Sequence, residues 1–275
     1  MIQLLQITND PDLARRCDAL DGMRLFVDLE RQGKAERQAG RNTFISAHEV
    51  EDVARIKAVL HRTPLMVRVN PLNVETPHEV DAVIARGADM LMLPMFSSGA
   101  QLREFSSIVA GRKPIVPLLE TAQALESVED WVSTPGLCEV FVGLNDLHIS
   151  MGCRFMFEPL SAGAVDRVQR AARRQGLRFG FGGIARMDQG LLQGQDVLAE
   201  HVRLGSDAVI LSRTFHGAGS PGTFEDAVRD LRQAECALAL RSAAQTDLDR
   251  DRIHRLVNTI ADSLAAQRTN PAATP

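Results

Sequence analysis

The chain has 275 residues, 45% of them apolar, with a formal charge of −4 and a pI near 6.0. That is enough for one large core or two small ones, it gives no electrostatic reason to expect nucleic acid, and no apolar run reaches the about 18 residues of a membrane span. The four cysteines, Cys17, Cys138, Cys153 and Cys236, form no C-x-x-C pair, so reduced thiols are expected, not a disulfide frame or a zinc site. The start lacks a basic segment leading into a long apolar one, and a cytoplasmic location is expected.

Short apolar runs alternate with amphipathic stretches. The predicted strands are "IQLLQIT" from Ile2, "RLFVDLE" from Arg24, "LMVRVN" from Leu65 and "MLMLPM" from Met90. They continue with "IVPLLET" from Ile115, "EVFVGLND" from Glu139, "RFGFGGIA" from Arg178 and "DAVILSR" from Asp207. Near-continuous apolar strands are those of a parallel sheet covered on both faces. Between them, "SAHEVEDVARIKAVL" offers Ser46 and Glu49 as a capping box before the stripe Val53, Ile56 and Leu60. "TPHEVDAVIARGAD" has Pro77 just inside its start and Gly87 just past its end. "PLSAGAVDRVQRAARRQG" ends with Arg173 and Arg174 in the last turn and Gly176 as its stop.

Eight strands with interleaved helices predict a (β/α)₈ TIM barrel. An open doubly wound sheet is the rival, and the first strand lacks the G-x-G-x-x-G turn that would favour it. Two further helices follow the eighth strand, in "TFEDAVRDLRQAECALALRSAAQ" and "DLDRDRIHRLVNTIADSLAAQ". The expected organisation is a barrel over 1–220, C-terminal helices over 221–267 and a disordered tail over 268–275. Helices beyond those that close a barrel point to packing on the barrel or on a partner subunit, hence a homo-oligomer.

Barrel chemistry sits at the C-terminal strand ends. In order these carry Asp28 and Glu30, Arg68 and Asn70, Met95, Glu120 and Thr121, Asn145 and Asp146, Gly182 and Gly183, and Ser212 and Arg213. Glu120 and Asp146 end neighbouring strands, and two hard oxygen donors there suit Mg²⁺, or Mn²⁺ or Co²⁺, with positions open to water or substrate. The alternative is a helix-capping Asp146 and a surface Glu120. Arg68, after a buried strand, needs an anion: a substrate carboxylate, or an ion pair with Asp28 or Glu120. The glycines Gly180, Gly182 and Gly183 fit close approach of an anion to backbone, or tight packing at a barrel corner. The only lysines are Lys34, Lys57 and Lys113. None has the apolar surroundings at the chemical rim that a Schiff base requires, so a metal is expected as electron sink.

The segments "VDLE", "VRVN", "GADMLMLPM", "LLET" and "FVGLNDLHISMG" resemble the HpcH/HpaI aldolase and citrate lyase family over roughly residues 24–215. The resemblance implies a (β/α)₈ barrel, a divalent metal and chemistry on pyruvate-like enolates. It implies Glu120 and Asp146 as metal ligands and Arg68 as the carboxylate-binding arginine. Backbone N–H groups around Gly143, Leu144 and Asn145 would assist, in a dimer-based, possibly hexameric, assembly. One departure concerns the stretch after the second strand. The aldolase branch carries "DGEH" and the citrate-lyase branch "DLED", whereas this chain reads "DLER", with Arg31 in the last place.

The expected activity is therefore a metal-dependent lyase or aldolase acting on 4-hydroxy-2-oxo acids with an aldehyde partner. Asp28 and Glu30 are candidate bases and Arg31 a candidate stabiliser of the alkoxide, with His48 and His148 behind them. The cationic loop holding Arg31, Lys34, Arg37 and Arg41 is either solvated or receives an anionic acceptor, including the phosphates of CoA. Cleavage of a citryl- or malyl-CoA thioester is the second enzymatic reading. A non-catalytic barrel that binds a 2-oxo acid is the third.

Overall fold

A computed structural model describes residues 1–33, 47–216 and 222–269. Eight parallel strands pair in sequence order and close on themselves. They are β1 (Gln3–Ile7), β2 (Met23–Asp28), β3 (Leu65–Arg68), β4 (Met90–Leu93), β5 (Ile115–Leu119), β6 (Glu139–Val142), β7 (Arg178–Ile184) and β8 (Ala208–Leu211). Closure is made by β1 against β8, with Leu4 opposite Val209 and Leu5 opposite Ile210. This is the (β/α)₈ barrel of the sequence reading, with both extra C-terminal helices present.

Side chains alternate across a strand, so every second residue of each run points into the barrel. The inward set Leu5, Phe26, Met66, Met92, Val116, Leu118, Phe141 and Ala208 forms a separate interior core. The outward set, including Leu4, Leu25, Val27, Leu65, Val67 and Val140, packs with the surrounding helices. Two steps along the same inward rows lie the polar residues. Below Phe26 and Phe141 sit Arg24 and Glu139, each 1% exposed and joined by two hydrogen bonds of 2.9 and 2.8 Å. Above Phe26, Met66 and Leu118 sit Asp28, Arg68 and Glu120. The barrel interior is therefore an apolar middle layer between a structural ion pair and a charged mouth.

Gly180 is explained by packing: a Cβ there would lie 2.7 Å from the Ala208 carbonyl oxygen and 2.8 Å from the Phe141 ring. The β7–β8 register also shifts between Gly180 and Gly183.

Three local expectations change. The helix Val50–Lys57 is capped by Glu49, whose N–H donates to Asp52 Oδ2 at 3.0 Å; the box sits one turn later than predicted because Asp52 is the carboxylate within reach. Ser46 lies outside the described residues, as do Lys34, Arg37 and Arg41, the boundary at 220, and 270–275 of the expected tail. The stretch "PLSAGAVDRVQRAARRQG" holds two helices, Glu158–Ser161 and Ala164–Arg174, broken where Gly163 takes φ +74°. In "EVFVGLND" the strand stops at Val142, and a helix, Leu144–Ser150, starts immediately after Gly143.

The C-terminal helices are Phe224–Ala239 and Ala243–Thr269. The second presents Ile253, Val257 and Ala261, all fully buried, to this chain's own helices Glu158–Ser161 and Gly194–Arg203. Arg252 pairs with Asp196, and Asp262 with Arg154, each at 2.6 Å. Its apolar stripe is thus covered within the chain. Among the described residues no helix is long and apolar enough to cross a membrane.

Candidate metal and substrate site at the barrel mouth

A cavity of about 640 Å³ opens at the C-terminal ends of the strands. Asp28, Arg68, Glu120, Gly143, Leu144, Asn145 and Asp146 all line it, so seven of the residues singled out from sequence meet in one place. Glu30 and Arg31 do not line it. Glu30 is buried behind Arg68, its Oε2 at 3.4 Å from Nη2. Arg31 is exposed and directs Nη2 to the His48 carbonyl at 2.8 Å, while its N–H donates to Asn70 Oδ1 at 2.9 Å. Position 31 leaves the inward row of positions 24, 26 and 28, so its guanidinium supports a neighbouring segment and is not presented to the cavity.

Arg68 is held from behind. Its Nε and Nη2 each donate to one Asp28 oxygen at 2.8 Å, and the guanidinium lies 5.5 Å from the Phe26 ring centroid. Burial opposes the charge, but Asp28, then Glu30 and Glu120, raise the Arg68 pKa above its ordinary value. The side chain keeps 13% exposure, and among the described residues Nη1 has no protein partner. One fork of the guanidinium is thus fixed and the other is available to an anion. The ion pair with Asp28 and the carboxylate clamp, alternatives on sequence grounds, coexist. Asp28 Oδ1 also accepts the Glu30 N–H at 3.1 Å. Both Asp28 oxygens thus hold the guanidinium, and Asp28 positions Arg68.

Glu120 is 2% exposed, which removes the surface reading. Its Oε1 accepts the Met95 N–H at 3.0 Å, and Met95 adopts φ +55°, a left-handed conformation uncommon for a side-chain-bearing residue. Oε2 lies 2.8 Å from where a Cβ on Gly143 would stand, so glycine at 143 leaves room for the carboxyl as it is placed. Burial first, then Glu30 and Asp146, push the Glu120 carboxyl up to about 8 against the opposing effect of Arg68. Asp146 is not a cap: Gly143 occupies the N-cap and Asp146 stands in the first turn of the helix Leu144–Ser150. Its carboxylate makes no hydrogen bond to the protein among the described residues.

Asp28, Glu30 and Glu120 thus surround the Arg68 guanidinium, with Asp146 acting on Glu120. Two hard oxygen donors, Glu120 and Asp146, in one cavity fit a divalent cation such as Mg²⁺ or Mn²⁺. Among the described residues no group of three or more His, Cys, Asp or Glu converges on a metal position, so such an ion would take its other ligands from water and substrate. The first turn of the helix Leu144–Ser150 adds backbone N–H groups that lack intrahelical partners.

The remaining polar strand ends divide. Asn70 Oδ1 binds the backbone of Arg31 and Gln32, and its amide donates to Glu79 at 2.9 Å, so it ties two loops together. Thr121 caps the helix Ala122–Glu126. Gly182, Gly183, Ser212 and Arg213 line the cavity. His148 does not; its Nδ1 donates to the Leu144 carbonyl at 3.2 Å. His48 does, and its Nδ1 accepts the Asp28 N–H at 3.1 Å. Sequence reasoning passed over Gln6 and His216, which also line the cavity. They are 210 residues apart, and only barrel closure brings them together at 2.8 Å. Lys57 is paired with Asp89 at 2.7 Å, and neither it nor Lys113 lines the cavity.

The model of the HpcH/HpaI aldolase/citrate lyase family matches residues 5–210. A (3S)-malyl-CoA thioesterase from Cereibacter sphaeroides is 29% identical over 114 residues, a match spanning 41% of this chain and 40% of that protein. An HpcH/HpaI aldolase/citrate lyase family protein from Burkholderia cenocepacia superposes with a TM-score of 0.61 at 17% identity, covering 86% of this chain and 94% of that one. The citrate lyase beta subunit of M. tuberculosis, complexed with oxaloacetate and magnesium, superposes with a TM-score of 0.57 at 17% identity, covering 85% and 96%. At these identities the superpositions speak for the fold alone.

Proposed function

We propose that this chain, which belongs to the HpcH/HpaI aldolase/citrate lyase family, is a divalent-metal-dependent carbon–carbon lyase that cleaves or forms 4-hydroxy-2-oxo acids. The observation that carries the reading is the cavity shared by Glu120, Asp146 and an Arg68 anchored by Asp28. A cation held by Glu120 and Asp146 would supply Lewis-acid stabilisation of charge developing on the keto oxygen.

The chain's own residues supply the rest. Asp28 fixes Arg68 so that Nη1 meets the carboxylate of the 2-oxo acid in one orientation, a charge-assisted contact. The N–H groups of Leu144 and Asn145 receive an oxygen of the same carboxylate. The apolar floor of Leu118, Phe141 and Ile210 excludes water beneath the carbon that bears the developing charge.

The test is exchange of the methyl protons of pyruvate in D₂O, with Mg²⁺, Mn²⁺ or Co²⁺ and with chelator, beside cleavage of a panel of 4-hydroxy-2-oxo acids. Metal-dependent exchange is expected, and Glu120→Ala should abolish it. Full activity of Glu120→Ala in chelator would refute the reading.

The match to a malyl-CoA thioesterase favours a second reading, action on a CoA thioester. Release of free CoA or acetyl-CoA from malyl- and citryl-CoA separates the two.

A further inference from the structure

Two imidazoles line the mouth cavity, and hydrogen bonds at different ring nitrogens fix both as the Nε2–H tautomer. His48 Nδ1 accepts a backbone N–H from Asp28, so the neutral ring carries its proton on Nε2 and is a donor. At His216 the hydrogen bond is made by the other nitrogen. The Gln6 amide nitrogen donates to the Ile7 carbonyl at 2.8 Å, which turns its Oε1 towards His216 Nε2 at 2.8 Å. An amide oxygen only accepts, so His216 Nε2 carries the proton and Nδ1 holds a lone pair. Among the described residues Nδ1 has no protein partner. The ring lies on Phe224, centroids 4.8 Å apart and planes within 20°, which sets its orientation.

We propose that His216 is the catalytic base of the proposed lyase reaction, its Nδ1 exchanging the proton of the C4 hydroxyl. The proposal rests on the lyase reading, in which Asp28 positions Arg68. Placement supports it. Arg68, Glu120 and Asp146 sit on the side of the mouth built by β3, β5 and β6, whereas Gln6 lies in β1 and His216 follows β8 on the other. A 2-oxo acid held by its carboxylate at Arg68 would extend its hydroxylated end towards His216.

In cleavage, Nδ1 takes the hydroxyl proton, the C3–C4 bond breaks, its electron pair enters the enolate of the 2-oxo acid, and C4 leaves as the aldehyde carbonyl. The imidazolium proton passes to C3, which restores the neutral ring and completes the product. Condensation is the reverse.

The surroundings favour the neutral ring. Partial loss of water first, then Arg16 and Arg186, lower the His216 pKa below the usual imidazole value. Arg16, on the helix Pro11–Asp18, is paired with Glu225 of the helix Phe224–Ala239 at 2.7 Å. Asp10 and Arg186 line a smaller pocket to which His216 also contributes.

The experiment compares wild type, His216→Asn and His216→Ala in retro-aldol cleavage over pH 5–8, with Mn²⁺ and oxalate binding measured on each. Loss of kcat by roughly 10²- to 10⁴-fold is expected, with Mn²⁺ and oxalate affinities unchanged, loss of the acidic limb of the pH profile, and partial rescue of His216→Ala by added imidazole. The ¹⁵N shifts of wild-type His216 should report the Nε2–H tautomer without any variant. Activity within threefold of wild type, or an Nδ1–H tautomer, overturns the role of His216 alone. A wild type with neither cleavage nor metal-dependent pyruvate exchange overturns the lyase reading and this role with it.

Discussion

His201 should make the protein acid-sensitive. It sits on the helix Gly194–Arg203, fully buried, and stacks on Phe181 with centroids 3.7 Å apart and planes within 4°. Among the described residues neither ring nitrogen has a hydrogen-bond partner. Burial lowers its pKa from 6.5 to about 3. An unfolded chain takes up this proton near pH 6.5, whereas the folded one refuses it until about pH 3. Between those values the unfolded state binds more protons, so stability falls as pH falls. The stabilisation is complete above pH 6.5 and is lost progressively below it. At pH 5 the loss is about 2 kcal/mol, at about 1.4 kcal/mol per pH unit. The assay is urea unfolding of wild type and His201→Leu at pH 7.5 and pH 5. Contributions from other titrating groups are common to both proteins and cancel. Wild type should lose about 2 kcal/mol more than the variant over this interval. Equal losses in the two proteins would refute the argument, because they would mean that the buried ring is protonated without unfolding.

At the opposite end of the barrel, Glu139→Ala leaves the Arg24 guanidinium buried without its carboxylate. It should destabilise the fold by about 3–5 kcal/mol in denaturant unfolding. Arg68→Lys gives up the fork that spans Asp28. It should lower kcat/KM for a 2-oxo acid by roughly 30- to 1000-fold, equivalent to about 2–4 kcal/mol, with little change in melting temperature. Met95 holds Glu120 from a left-handed backbone; Met95→Val should destabilise by about 1–2 kcal/mol and weaken Mn²⁺ binding measured by calorimetry, whereas Met95→Gly should retain binding.

Much of the mouth was legible because strands have period two. Once "RLFVDLE", "LMVRVN" and "IVPLLET" are read as strands ending at a chemical rim, Asp28, Arg68 and Glu120 fall on inward rows by counting. The same parity would have removed Arg31, which the motif resemblance alone brought forward. Asp146 was legible as a polar residue beyond a buried strand, although not as the first turn of a helix that starts at Leu144. The partner of Arg68 was not legible. Asp28, Glu30 and Glu120 all surround it, and only coordinates show both guanidinium hydrogen bonds going to Asp28.

The chain by itself determined eight strands, their inward rows and hence the acids that rise to one rim, since alternation and strand ends are local properties. Only the tertiary structure decided which groups meet across the closed ring. Gln6 lies in the first strand and His216 beyond the end of the last, and no local pattern links them. Their contact exists because a parallel sheet with unpaired edge amides and carbonyls on β1 and β8 satisfies them by closing on itself.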